Sequence, residues 1–288
     1  MTRPHIEFIQ AQPLPWKRGL YGGSRPKVRW KALSMDKGSG ESSVVIKYPA
    51  GWKRTKKEHL LVDEEIFVLE GSIRIAGIDY DEHCYAYLPA GYERPRQSSK
   101  DGAVVLTFFS GKPKAVPGKA PRGLYKRKRT LKFLDTMEMA WGGILPHGGV
   151  LDPELGGRGG LKSLRLDPDT EDWTFLYATM PQGHPDGWAG KLETHPVVEE
   201  MYLLTGEMAG NTGTMRPGAY FWRPPGILHG PYGSVTGTMG LFRTKGGMLV
   251  NHWSDHKVGF TYAPRYKPAL PKELKKYAGE LPPSPPNY

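Results

Sequence analysis

The sequence predicts an all-β fold made of two barrels in tandem, on three observations. Glycine and proline, 37 and 27 of 288 residues, make up about a fifth of the chain and supply turns throughout. Short β-rich runs separate these turns, and no long stretch of 3.6-residue periodicity argues for helices. The succession of runs also occurs twice. Glu64 to Ile73 (EEIFVLEGSI) lines up with Glu199 to Met208 (EEMYLLTGEM), and Tyr87 to Arg94 (YLPAGYER) with Trp222 to His229 (WRPPGILH), both without a gap. A chain of this length accommodates two domains, each able to bury a core.

Taken in order, residues 1–42 form an N-terminal extension holding one β-like segment, Ile6-Glu7-Phe8-Ile9, before Pro13, Pro15, Gly19, Gly22, Gly23 and Pro26. This segment is expected to pack along the outside of a barrel or to cross to a partner. The N-terminal barrel spans 43–112, with runs at Val44–Tyr48, Ile66–Leu69, Ser72–Ile75, Cys84–Leu88 and Val104–Phe109 between Pro49, Gly51, Gly71, Pro89, Gly91 and Gly102. Residues 113–164 read as a basic and glycine-rich linker. Within it Phe133–Trp141 is a strand or a helical turn, and Gly156-Gly157-Arg158-Gly159-Gly160 lacks the Gly-Lys-Ser/Thr ending of a phosphate loop, so it reads as a flexible connection. The C-terminal barrel spans 165–250. The C-terminal extension, 251–288, carries His252 and His256 without the intervening glutamate of a zinc-protease helix, which makes a structural role the expectation. From Pro264 on, proline and lysine favour an extended surface tail.

Composition narrows the function classes. Hydrophobic content of 38% with 24% charged residues is ordinary for a globular protein. The single cysteine, Cys84, excludes an intramolecular disulfide and a cysteine zinc cluster. The opening residues carry no apolar leader, and no apolar run approaches the roughly 18–20 residues of a membrane span. A cytoplasmic protein without membrane contact is expected. The net charge of +11 is concentrated between Gly111 and Lys132, where interleaved proline and glycine make a solvated loop, and no nucleic-acid motif accompanies it.

The chemistry concentrates in Gly187–His229. There Gly187, Glu193, His195, Glu199 and Gly206 are followed by Gly218, Pro224, Gly226 and His229. Residues two apart on a strand point to one side, so Glu193 and His195 face together. This spacing resembles the paired signature of the cupin superfamily, whose double-stranded β-helix (jelly-roll) barrels hold a metal or substrate in the mouth. The resemblance covers both barrels and makes the chain look like a bicupin.

It implies four metal-facing positions, Glu193, His195, Glu199 and His229, with Glu193 standing where the family's first block has a histidine. Such a set suits Fe(II) first, with Mn(II), Ni(II), Co(II) or Zn(II) as other candidates. Glu193 reads either as a ligand or as a general base beside the metal. His184, on the entering loop, is a candidate mouth residue and proton shuttle. In the N-terminal barrel, Lys57 is placed at the first histidine register, His59 and Glu64 follow, and Arg94 replaces the last histidine. That site is expected to be degenerate, with Glu64 and Arg94 paired.

The function implied is that of a non-haem Fe(II) dioxygenase acting on a small carbonyl or phenolic compound within an aromatic-walled pocket. A redox-silent metal lyase or isomerase and a metal- or ligand-sensing module stand as alternatives, and a homodimer is the expected assembly.

Overall fold

In the computed structural model residues 3–142, 159–279 and 286–288 are described. Most of the expected glycine-rich connection, 143–158, and residues 282–285 of the final proline run lie outside them. The chain divides into two compact units, Met1–Arg3 with Leu14–Met139 and Pro4–Pro13 with Ala140–Tyr288. Both are cupin barrels, so the all-β tandem expectation holds.

The strands that matter to the argument are β1 (Ile6–Gln10), β2 (Arg29–Met35), β3 (Ser42–Tyr48), β4 (Glu58–Leu60), β5 (Glu64–Gly71), β6 (Cys84–Leu88), β7 (Ala103–Phe109), β8 (Leu131–Asp135), β9 (Gly159–Leu166), β10 (Trp173–Thr179), β11 (Ala189–Thr194), β12 (Val198–Gly206), β13 (Ala219–Arg223), β14 (Thr238–Lys245) and β15 (His252–Gly259). The first unit carries a six-stranded antiparallel sheet in the order β8-β6-β5-β7-β3-β2, and the second carries the matching order β1-β13-β12-β14-β10-β9.

The repeat holds at the level of backbone conformation. Gly71 and Gly206 end equivalent strands at φ 71° and 78°, and a Cβ on either would collide with the carbonyl oxygen of Gly102 or Gly237. Only glycine combines that left-handed conformation with so close an approach. His83 stands at φ 69° where the second unit has Gly218 at φ 91°, so the turn survives with a non-glycine residue.

Alternation along the central strands builds the interior. In the first unit Val44, Ile46, Ile66, Val68, Val105 and Phe109 enter one cluster, each such buried side chain stabilising by about 1.5–3 kcal/mol relative to exposure. In the second unit Glu199, Met201 and Leu203 of β12 share a face; Met201 and Leu203 join a cluster with Phe8, Met215 and Phe221. Tyr202 points the other way and donates to the Asn287 carbonyl at 2.5 Å.

The structure divides the chain differently from the boundaries expected at 42, 112, 164 and 250. β2 lies in the expected extension yet pairs with β3 along its length. β8 lies in the expected linker and joins β6, which settles the Phe133 region as strand rather than helical turn. β15 pairs with β11, so His252 and His256 sit on a strand, largely exposed, and not on a helix. These runs alternate too weakly for sequence to separate an edge strand from a loop. Among the described residues no helix is long and apolar enough to cross a membrane.

Candidate metal centre

The first barrel shows the equivalent positions without the histidines. Backbone hydrogen bonds join Glu58 to Arg94 and, equivalently, Glu193 to His229; the Gly91 amide bonds to the Leu60 carbonyl as the Gly226 amide bonds to that of His195. Glu58 and Leu60 are therefore the counterparts of Glu193 and His195. The register expected at Lys57 and His59 is one residue off: Lys57 pairs with Glu93 at 2.5 Å, and the His59 ring lies 3.3 Å from the Gly118 carbonyl. A one-residue slip turns every side chain to the opposite face.

Into the interior Arg94 sends its guanidinium to Glu64 at 2.8 Å, the expected pair. Arg25 reaches Glu58 at 3.3 Å, and Gln97 and Arg54 donate to the same carboxylate at 2.8 and 3.0 Å. Burial alone would raise the Glu58 pKa, but the Arg25 charge and the Gln97 and Arg54 hydrogen bonds outweigh it and hold it below 4.5. A carboxylate depressed in the folded state adds stability above its unfolded pKa and loses it as pH falls through its folded pKa. The urea midpoint of the first unit is accordingly expected to fall as pH drops below about 4.5. Glu58→Gln should flatten that slope in urea titrations at stepped pH, and an unchanged slope would refute the assignment.

In the second barrel the same positions converge differently. Ligating atoms of Glu193, His195 and His229 lie within 4.8 Å of one another. Nε2 of His195 faces Nε2 of His229 at 3.2 Å, and Glu193 Oε1 is 3.6 Å from the latter. Glu199 Oε2 stands 3.6 Å from His195 Nε2 and 3.4 Å from His229 Nε2. Each ring's tautomer follows from its other nitrogen: Nδ1 of His195 lies 3.0 Å from the Val250 carbonyl and Nδ1 of His229 2.9 Å from that of Ile227. A carbonyl only accepts, so both Nδ1 atoms carry the proton and, in the neutral rings, both Nε2 atoms present lone pairs. Two lone pairs and two carboxylate oxygens thus point into one small volume, which is the arrangement a divalent cation satisfies.

Charge in this volume is managed from one side. Arg223, buried, donates to Glu199 at 2.7 Å and to both oxygens of Glu7, at 2.6 and 2.5 Å. It also donates to the Tyr232 hydroxyl and rests 3.6 Å above the Phe221 ring. Burial would raise the Glu199 pKa; Arg223 first, then the two histidines, keep it below the usual carboxylate range. Glu193 is pushed up to about 8 by burial and the Glu199 charge, which Arg223 only partly offsets. Burial and the Arg223 charge bring His229 down to about 4. Asn251 donates to Glu193 Oε2 at 3.0 Å, which leaves Oε1 facing His229.

A cavity of about 160 Å³ opens beside these groups. Phe175, Tyr177, Phe221, Tyr232 and Phe242 supply its aromatic wall, whereas Tyr202, Tyr220 and Trp222 alternate away from it. An apolar cavity of roughly 150 Å³ holds a molecule the size of benzene, so a single ring or a short-chain acid is the scale of ligand that fits.

The structure therefore brings Glu193, His195, Glu199 and His229 together. It does not bring His184 to them: that ring stacks on Trp188 at 3.7 Å between centroids, packs edge-on against Phe260, and is absent from the cavity wall. Arg223 and Glu7 escaped sequence reasoning. The only signal was an arginine in the otherwise apolar run Ala-Tyr-Phe-Trp-Arg, where alternation from Phe221 points it inward.

The family model described as "Domain of unknown function (DUF4437)" matches residues 10–251. The chain is similar in structure to a "putative dioxygenase" from Nostoc punctiforme PCC 73102, at 18% identity and a TM-score of 0.73 over 92% of both chains. It is also similar to oxalate decarboxylase from Bacillus subtilis, at 12% identity and a TM-score of 0.52 over 86% of this chain and 79% of that one. A second structure of that enzyme, described in connection with its Mn(II) centres, matches at 12% identity and 0.53 over the same shares. At these identities the likeness is one of fold. No curated protein matches the chain in sequence.

Proposed function

Because the chain belongs to the family described as Domain of unknown function (DUF4437), whose description assigns no chemistry, we propose its function from the site: the second barrel is a metal-dependent enzyme centre. The observation that carries this is the convergence of two histidine Nε2 lone pairs, fixed by their Nδ1 hydrogen bonds, with the Glu193 carboxylate. Glu193, His195 and His229 hold the ion, and Glu199 adds a fourth donor, an oxygen, from the Arg223 side. In this reading Glu193 is a ligand and not a base, because Asn251 occupies its outer oxygen and turns the inner one to the histidines. When bound, the ion supplies Lewis acidity and, as Fe(II), redox chemistry at open coordination positions.

The reaction class that fits best is oxygenation of a small phenolic, aromatic or carbonyl compound. Two histidines with a carboxylate and open positions are the donor set of non-haem Fe(II) oxygenases. Phe175, Phe221 and Phe242 orient a flat substrate and exclude water, while Lys191 on the cavity wall favours a negative charge on it. A redox-silent decarboxylase-type lyase is the second reading. It is favoured by the two carboxylates, Glu193 and Glu199, in one site, a harder set that suits Mn(II).

The test is chelator-free purification, metal analysis by mass spectrometry after reconstitution with Fe(II) or Mn(II), and oxygen uptake against small phenols and aromatic or dicarbonyl acids. About one metal per chain with substrate-dependent oxygen uptake supports the oxygenase. Carbon dioxide release under anaerobic conditions supports the lyase, and a chain that takes up no metal overturns both.

A further inference from the structure

We propose that Glu7 is a positioning residue that keeps the second barrel open to a cation, by anchoring Arg223 away from the place the ion takes. The inference rests on the metal reading above. Both barrels pair the same-register glutamate with an arginine, Glu64 with Arg94 at 2.8 Å and Glu199 with Arg223 at 2.7 Å. They differ in where that arginine comes from. Arg94 stands at the register of His229, so its guanidinium fills the interior where ligand and ion would be. Arg223 approaches from β13, at a position that is Leu88 in the first barrel, and leaves the space before the histidines clear.

A guanidinium has five donors, and the acceptors gathered in the second barrel would suit it as well as a metal. What prevents Arg223 from taking them is a bidentate bond on its far side. Nε donates to Glu7 Oε2 and Nη2 to Oε1, so Nη1 serves Glu199. Glu7 is 5% exposed and comes from β1, 216 positions earlier in the chain. The first barrel has neither half of this anchor. Ile6 pairs with Trp222 as Leu131 pairs with Tyr87, which puts Lys132 at the Glu7 position and Leu88 at the Arg223 position. The barrel that lacks the anchor is the one whose arginine lies in the ion's place.

The experiment uses the full-length, chelator-treated chain with Mn(II) alone as probe, free Mn(II) being counted by electron paramagnetic resonance and folding checked by thermal melts. Glu7→Gln is expected to weaken Mn(II) binding about 10- to 100-fold. The double variant Glu7→Gln/Arg223→Met, which removes both the anchor and the competitor, is expected to return the Kd to within about tenfold of wild type. A merely structural Glu7 would make the double variant at least as weak as the single one, and that result overturns the proposal.

An unchanged Kd in folded Glu7→Gln overturns it while leaving the metal reading intact. A wild-type chain that binds no Mn(II) sinks both. Should Glu7→Gln fail to fold, the double variant decides, because exchanging a buried ion pair for neutral residues is often tolerated: a loss in it of more than about tenfold overturns the proposal.

Discussion

With His229 replaced by alanine, the chain is expected to bind no stoichiometric metal, its Kd for Fe(II) or Mn(II) rising more than about 100-fold, since losing a ligand's supporting partner alone costs about 10–100-fold. His229 supplies one of the two lone pairs, and its backbone is pinned by reciprocal hydrogen bonds with Glu193. Those backbone bonds survive the substitution, so the variant should fold and its thermal melt should move little in chelator. His195→Ala is expected to behave alike. His184→Ala should leave metal affinity within about twofold, because its ring stacks on Trp188 and does not line the cavity. Titration of the three variants with Mn(II) checks this, and retention of stoichiometric metal by His229→Ala would refute the ligand assignment.

The second large effect is expected on folding. Arg94→Met leaves Glu64 buried with one of its two arginine partners gone. The Arg25 guanidinium, 3.7 Å away, and the Tyr21 hydroxyl, donating at 2.8 Å, remain. Breaking a buried pair by removing one partner costs about 3–5 kcal/mol. The remaining partners place the expected loss near about 3 kcal/mol, read as a lowered urea midpoint for the first unit. Adding Glu64→Gln should recover part of it, since the stranded charge is then removed. A midpoint unmoved by Arg94→Met would show that the interior pair contributes nothing.

Barrel and site were legible in sequence to different depths, for physical reasons. Gly71 and Gly206 stand out because a left-handed turn against a carbonyl admits little else, and such residues fix where strands end. The convergence of Glu193, His195, Glu199 and His229 could be read because side chains that meet from neighbouring strands keep a fixed spacing. The same logic misplaced the first barrel by one residue: His59 offered a ligand-type side chain at the second position of the block, whereas the backbone bridge selects Glu58 and Leu60. Glu7 could not be found this way. A contact spanning 216 positions leaves no local period, and an acidic residue in Ile-Glu-Phe-Ile-Gln reads as the solvent side of a strand.

The strand that carries Glu7 also has a history during synthesis. β1 is made well ahead of its partner β13, which is completed some 216 residues later. At the ordinary pace of about 5–20 residues per second, that interval lasts roughly 10–40 s. Throughout it an apolar strand with unpaired edges waits beside the nascent chain, and the carboxylate that anchors Arg223 has nothing to anchor. The sheet of the second barrel therefore cannot close until β13 has been made, and it depends on whatever shields β1 in the meantime.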